Sequence, residues 1–497
     1  MVKKYNLFLS LTVGSVLLVA SACTVRENGA SHPEDPVLQT IDRYLDGEGE
    51  NGFSGTVLVK TPAGAPLIKC YGMANEELGI PNNPDVVYNI GSITKQFTGA
   101  AILKLQMMGK LTVSDSISKY IPGLPTELGS ITFHQLLTHT SGLPFDFGSN
   151  TEIITRDELL NRFRQTTIDK KPTGRSNYSH AGYNILGVLI EIITGMDYEA
   201  FIHQYLFKPA GMKRTGYRTP DWANSVVAHG YRFCNDWGKP MDSGWLDDGP
   251  SWTRRASGGM LSTATDLYAW HLALLGNDIL DEKSKKQYYY PEPAVQAWGN
   301  SASGYGWLIV KSVYNTEVIA HNGWNGMFFA DFLRYIKEDI TIIVLSNRFR
   351  DGNDLLASEL AKSVFKYPQK PDLVGRKTVC LDTLPNNRIG TLTRNFLDLL
   401  ANGSDTDFRN FIKQDIASQM IKKYSNDALV DSLQSLQNKS GAVKVRQIRL
   451  YDNRIITLDV LQLKDNQEAS MVLLFDENED YRIRRISYSG PEDRKFR

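Results

Sequence analysis

Neither sign of charge is in excess in this chain: 55 Lys and Arg stand against 55 Asp and Glu, so the formal net charge is zero. No basic surplus exists to neutralise a phosphate backbone, which argues against nucleic acid as a partner. Cysteine is scarce. Cys23, Cys70, Cys234 and Cys380 are the only four, and they lie far apart. Their spacing has none of the close pairing that zinc needs, so no metal and no cofactor are expected. Beyond Cys23 the remaining three are odd in number. They read as buried apolar fillers, with room for one disulfide in an oxidising compartment. Past residue 20 no apolar run approaches the length of a membrane span. What is present is a soluble composition, 42% hydrophobic and 22% charged, over 497 residues. That length suggests two domains or more.

The N-terminus reads as an address. Lys3 and Lys4 precede an apolar run, Leu7 to Ala20, of signal-peptide length. Ala20-Ser21-Ala22-Cys23 follows and resembles the bacterial lipoprotein cleavage box, with Ala20 where leucine is usual. The resemblance implies cleavage before Cys23, a lipid on its thiol, and a place on the cell envelope. Residues 1–22 would be the signal peptide and 23–35 a polar tether.

The stretch Asn89 to Gly109 organises the rest. Ser92 is followed three residues later by Lys95, then by an apolar run with helical spacing that Gly109 closes. The spacing puts Ser92 on a first helical turn, where unpaired N–H groups favour a developing anion. The Lys95 amine returns to the same face. A serine needs a partner to take its proton, and a desolvated lysine can serve. The competing reading is an N-cap serine beside a solvated lysine.

Further pieces follow along the chain. A short helix is expected over Gln39–Leu45, and a hairpin from strands Gly52–Lys60 and Pro66–Tyr71. Thr132 is placed to cap a helix that ends in Leu136-Leu137-Thr138-His139-Thr140-Ser141-Gly142-Leu143. His139 reads as a hydrogen-bonded scaffold residue rather than a catalyst. Asn177-Tyr178-Ser179-His180 forms a loop before a buried helix beginning at Asn184. A tyrosine there can be held rigidly towards a cleft, and flanking cations would ease loss of its proton. Ala256-Ser257-Gly258-Gly259 offers close backbone approach. His321-Asn322-Gly323-Trp324 reads as strand, with His321 a donor side chain beside the cleft and Gly323 a point of close approach. Phe328–Tyr335 and Ile340–Asn347 read as further strands.

In this order, Ser-x-x-Lys at 92–95, Leu-Leu-Thr-His-Thr-Ser-Gly-Leu at 136–143, Tyr-Ser-His at 178–180, Ala-Ser-Gly-Gly at 256–259 and His-Asn-Gly at 321–323 resemble the class C β-lactamase-related serine hydrolases. The family also holds penicillin-binding carboxypeptidases, D-amino-acid peptidases and esterases. The resemblance spans about residues 36–366. It implies an α+β fold, a largely antiparallel sheet flanked by helices with a helical subdomain, and Ser92 in the cleft between them. It implies Ser92 as acylated nucleophile, Lys95 as its proton partner and Tyr178 as base and then acid. The oxyanion hole would be the N–H groups of Ser92 and Trp324. His321, Gly323 and His180 would contact the substrate, which would be a small molecule or a peptidoglycan fragment. Two positions depart from the β-lactamases: His180 replaces an asparagine, and His321 replaces a lysine. A neutral histidine holds a substrate carboxylate less well at pH 7.

Residues 367–390 read as a linker. Beyond it, helices over Leu392–Ala401, Asp407–Ile412 and Leu429–Leu436 precede strands over Val443–Leu450, Arg454–Leu463, Ser470–Phe475 and Tyr481–Tyr488. Helices first and strands after is an α+β pattern. The segment 391–497 resembles the NTF2/cystatin-like accessory domains, and no catalytic cluster is visible in it.

Overall fold

The computed structural model describes residues 36–490, except 150–151, 169–174, 233–234, 298, 351, 369–377 and 452–453. The signal peptide, the tether and Cys23 lie outside the described residues.

Helix α1 (Pro36–Glu50) opens the described chain and is longer than the sequence pattern suggests. Strands β1 (Gly55–Lys60) and β2 (Leu67–Tyr71) form the expected antiparallel hairpin. Helix α2 (Thr94–Met107) follows, and the helical region includes α3 (Phe133–Leu137) and α4 (His180–Thr194). After α5 (Ala264–Leu275) come strands β3 (Ser301–Ser303), β4 (Leu308–Lys311), β5 (Glu317–Trp324), β6 (Phe329–Tyr335) and β7 (Ile340–Ser346), then α6 (Asn353–Val364). The sheet has seven strands in the order β3-β4-β5-β6-β7-β1-β2, antiparallel throughout. This is a β-lactamase/transpeptidase-like arrangement of antiparallel sheet and helices.

Strands β1 and β7 are buried on both faces, and their apolar runs show why. Val57 and Val59 of β1 and Ile342 and Val344 of β7 pack under α1 and α6. Leu58, Ile343 and Leu345 alternate to the other face and join the core built on α2 and α5. Glu48, on the last turn of α1, pairs with Arg350 just before α6, Oε2 to Nη2 at 2.5 Å, with side chains 0% and 3% exposed. Removing one partner strands the other charge in the interior. Glu48→Gln is therefore expected to cost about 3–5 kcal/mol, more than a double replacement of both by apolar residues. Urea unfolding of the single and double variants checks this, and an unchanged midpoint for Glu48→Gln would count against it.

The last part of the chain builds a second core. Strand β8 (Thr378–Leu381) precedes helices α7 (Arg388–Asn402), α8 (Asp405–Asp415), α9 (Ser418–Lys423) and α10 (Asn426–Ser440). Strands β9 (Val443–Tyr451), β10 (Ile455–Gln462), β11 (Glu468–Asp476) and β12 (Arg482–Ser489) then run as a meander, with β8 on the edge beside β9. Two readings need correction here. Part of the expected linker is this edge strand; its four residues, with the middle two exposed, give too little alternation to see. Cys380 lies on it, exposed, and is not a buried filler but part of a disulfide, for which the cysteine count left room, while Cys234 lies outside the described residues. Cys70 is the buried filler expected and forms no disulfide.

Candidate active site

Ser92 sits where the helical region meets the sheet. It lies on a 3-10 turn, Gly91–Ile93, and α2 proper starts at Thr94. The expected first helical turn is thus one tighter turn, set by Gly91 at φ 52°. The Thr94 hydroxyl pins this turn, donating to the Gly91 carbonyl at 2.7 Å and accepting from Met260 N at 3.1 Å. The turn rests on the end of β5 with little clearance. A Cβ on Gly91 would meet Trp324 N at 2.7 Å, and one on Gly323 would meet Ile90 O at 2.0 Å and Ser92 N at 2.9 Å. Gly323 of the His-Asn-Gly motif is therefore what lets the end of β5 approach the turn at Ser92 this closely. The Trp324 side chain stays 59% exposed at the rim.

Lys95 is fully buried, and its amine lies against three groups. Nζ is 3.2 Å from Ser92 Oγ, 3.0 Å from His180 Nδ1 and 2.6 Å from the Ser257 carbonyl. The Ala-Ser-Gly-Gly segment thus supplies a carbonyl to the lysine. His180 takes up the lysine contact that the resemblance assigns to an asparagine. Burial, and then the Arg254 charge, hold the Lys95 amine well below the usual lysine range.

Tyr178 comes from the loop before α4, and its hydroxyl is hydrogen-bonded to the Ser92 side chain. Helix α4 starts at His180, four residues before the apolar run suggests, because the Ser179 hydroxyl caps it by accepting Gly182 N–H at 3.0 Å. The protonation expected for Tyr178 is corrected. Arg254 does press its pKa downward, but burial is the larger effect and leaves the phenol raised above its ordinary range. Desolvation thus favours a neutral amine and a neutral phenol flanking the serine hydroxyl.

His139 is the scaffold residue expected, with a specific task. Its ring stacks on Tyr178 with centroids 4.5 Å apart, and its Nδ1 accepts the Ser179 N–H at 3.1 Å. Its backbone is left-handed at φ 60°, an uncommon conformation for a non-glycine residue. His321 lies near Tyr178, ring centroids 6.3 Å apart. Burial, with the Lys95 charge, brings its pKa down to about 4. Its Nδ1 donates to the Asn322 carbonyl at 2.6 Å. The neutral ring therefore presents an acceptor at Nε2, not the donor expected from sequence. His139, Ser176, Tyr178, Ser303, Trp307 and His321 line a small cavity beside the serine.

Three residues escaped the sequence reading. Arg254 and Asp146 meet at 3.2 Å, both largely buried. Arg254 is the first half of Arg-Arg before Ala256, and nothing local distinguishes it from its neighbour, which pairs with Asp248 instead. Phe145, 56% exposed, packs its ring edge-on against His180 at 4.7 Å.

This geometry unites residues that are scattered in the chain. Residues 38–364 match the family model described as Beta-lactamase. The chain belongs to the beta-lactamase family. It is a serine hydrolase of that family. Protein flp of Staphylococcus aureus strain MW2 is 28% identical over 324 residues, which are 62% of this chain and 63% of that protein. Among solved structures, a β-lactamase/D-alanine carboxypeptidase from Pseudomonas syringae aligns with a TM-score of 0.56 at 20% identity, covering 68% of this chain and 99% of that one. An octameric penicillin-binding protein homologue from Pyrococcus abyssi aligns at 0.57 and 19% identity, covering 90% of this chain and all of that one. The last likeness extends past the family domain into the C-terminal part. Among the described residues no cluster of side chains could hold a metal ion.

Proposed function

We propose that this family hydrolase cleaves an ester or amide through transient acylation of Ser92. The observation that carries the reading is one hydroxyl within 3.2 Å of a buried, deprotonation-prone lysine amine and hydrogen-bonded to a buried phenol. Ser92 Oγ attacks the acyl carbonyl as its proton passes to Lys95. The amides of Ser92 and Trp324 receive the developing oxyanion. Tyr178 gives its proton to the leaving group as the old bond breaks. Water then loses a proton to the Tyr178 phenolate and attacks the acyl carbon, and Ser92 leaves with the proton held by Lys95. All groups return to their starting state. His180 holds Lys95 in place throughout. No cofactor enters this scheme.

The second reading is a D-alanyl carboxypeptidase or D-aminopeptidase acting on peptidoglycan fragments, favoured by the likeness in fold to the Pseudomonas β-lactamase/D-alanine carboxypeptidase. A third, a binding or sensor protein that acylates and stays acylated, rests on His180 where an asparagine is usual. Labelling the purified protein with a fluorophosphonate and with a fluorescent penicillin separates them. Labelling by the first alone favours an esterase. Labelling by both favours the penicillin-binding reading, and a penicillin adduct that persists for hours favours the sensor.

We also propose export and a lipid anchor on Cys23, on the strength of the basic, apolar and small-residue order before it. Cys23→Ser is expected to release the protein from the membrane fraction into the soluble one. Identical fractionation of wild type and variant would refute the anchor. The C-terminal unit, 391–497, is proposed as an NTF2/cystatin-like appendage for packing or partner binding, supported by its helical layer beside a five-stranded meander.

A further inference from the structure

A second cavity, of about 470 Å³, lies outside the acyl-transfer cleft. Small-molecule sites run from about 300 to 1,000 Å³. It opens between the end of α5, the helix Glu282–Tyr289 and strands β5 and β6. Ser92, Lys95 and Tyr178 do not line it. Its apolar walls are Leu274, Leu275, Ile319, Ile336 and the rings of Tyr289 and Tyr290. Leu275 and Tyr290 are each 45% exposed, so part of that wall is left uncovered.

Four cations and two carboxylates share the lining. Both carboxylates are engaged. Glu282 pairs with Lys285 at 2.6 Å, and Glu317 accepts the Tyr290 hydroxyl. Lys285 is further committed to the Gly276 carbonyl at 3.1 Å, just past α5. Arg334, Lys286 and Lys337 make up the remaining positive charge. Arg334 is 0% exposed, yet no carboxylate among the described residues pairs with it. Its Nε donates to His271 Nδ1 at 3.0 Å and its Nη1 to the Tyr289 hydroxyl at 2.6 Å. Burial, and then the Arg334 charge, bring the His271 pKa down to about 3, so that ring offers no counter-charge. The two bonds use two of five guanidinium N–H donors. Lys286 and Lys337 are exposed, and neither amine has a partner among the described residues. A buried charge is normally paired, because desolvating an uncompensated one is costly.

We propose that this cavity is a second binding site, for an amphipathic anion. A carboxylate or phosphate head would meet Arg334, with Lys286 and Lys337 adding to the positive field, and an alkyl chain would lie along the leucine and isoleucine walls. Both head groups match the guanidinium fork, which binds paired oxygens. The inference does not depend on acylation of Ser92. The alternative is a structural Arg334 that only holds aromatic rings in place, since its guanidinium lies 5.1 Å from the centroid of Trp307 and 5.5 Å from that of Tyr289.

Titration calorimetry at low salt, below micelle formation, tests this with octanoate, octyl phosphate, 1-octanol and inorganic phosphate. One site per chain should take octanoate and octyl phosphate in competition, and the tighter of the two tells a free carboxylate from a phosphate ester. 1-Octanol and inorganic phosphate, which lack the charge or the chain, should each bind at least about tenfold more weakly. Arg334→Gln should weaken octanoate binding about 10–100-fold, the size of a charge-assisted hydrogen bond. Two substitutions at exposed positions keep the test open if that variant does not fold. Leu275→Glu should abolish binding by placing a carboxylate in the cavity. Lys286→Ala combined with Lys337→Ala should weaken it about 2–5-fold, less at high salt. Fluorophosphonate-treated protein should bind octanoate as well as untreated protein does. Equal binding of all four probes, binding of neither amphipathic anion, or octanoate binding that survives Leu275→Glu overturns the proposal. Octanoate binding lost on fluorophosphonate treatment would place the ligand in the serine cleft instead. Adsorption to anionic phospholipid vesicles without binding of the monomeric probes would make this face a membrane contact, and that too would overturn it.

Discussion

Ser92→Ala is expected to abolish covalent labelling by every acylating probe and to remove measurable turnover of a chromogenic ester. The reason is chemical: the atom that forms the acyl bond is absent, and what stays behind can only bind and polarise. The structure names the best substitute nucleophile. Ser257 Oγ is buried without a partner among the described residues, on the segment whose carbonyl touches Lys95. It lacks the contact with the lysine amine that Ser92 has at 3.2 Å. Intact mass after fluorophosphonate treatment should show one adduct on wild type and none on Ser92→Ala, and a digest should place the adduct on Ser92. An adduct on Ser257 or any other serine, or wild-type turnover by the variant, would overturn the mechanism.

Lys95→Ala and Tyr178→Phe are each expected to cut turnover by about 10²–10⁴, the span of positioned acid–base groups. The two together should cost far less than the product, because they act as one unit on one hydroxyl. Phenylalanine keeps the ring stacked on His139, so a large loss in Tyr178→Phe reports the hydroxyl and not the packing. The pH dependence has a definite sign. Lys95 must be an amine to take the serine proton, so the rate rises as pH passes its depressed pKa and falls on the acid side. Tyr178 must be a phenol to protonate the leaving group, so the alkaline limb lies above the ordinary tyrosine range. Lys95→Ala should erase the acid limb assigned to that amine. A double variant whose losses multiply, or an acid limb unchanged in Lys95→Ala, would count against a shared proton circuit.

Much of this site was readable before any fold was known, and the reason is local. Ser92 and Lys95 are one turn apart, so a three-residue spacing alone brings amine and hydroxyl to one face. The cap at Thr132, the hairpin and the strands each depend on neighbours within a few residues. The errors had two sources, an overlooked local cap and a distant partner. Helix α4 begins early because a serine hydroxyl caps it. Strand β8 exists only because β9 lies beside it.

By itself, then, the sequence determined the elements, the family motifs and the pairing of Ser92 with Lys95, since short-range geometry decides each of these. Tertiary structure alone decided the chemistry of the groups. It placed Tyr178 on the serine from 86 positions away in the chain, and it made burial outweigh the cations around that phenol. It turned His321 into an acceptor by tying its Nδ1 to the Asn322 carbonyl. It separated two adjacent arginines by setting Asp146 opposite Arg254 and Asp248 opposite Arg255. Protonation, tautomer and charge depend on what surrounds a group within a few ångströms, and only the folded chain assembles those surroundings.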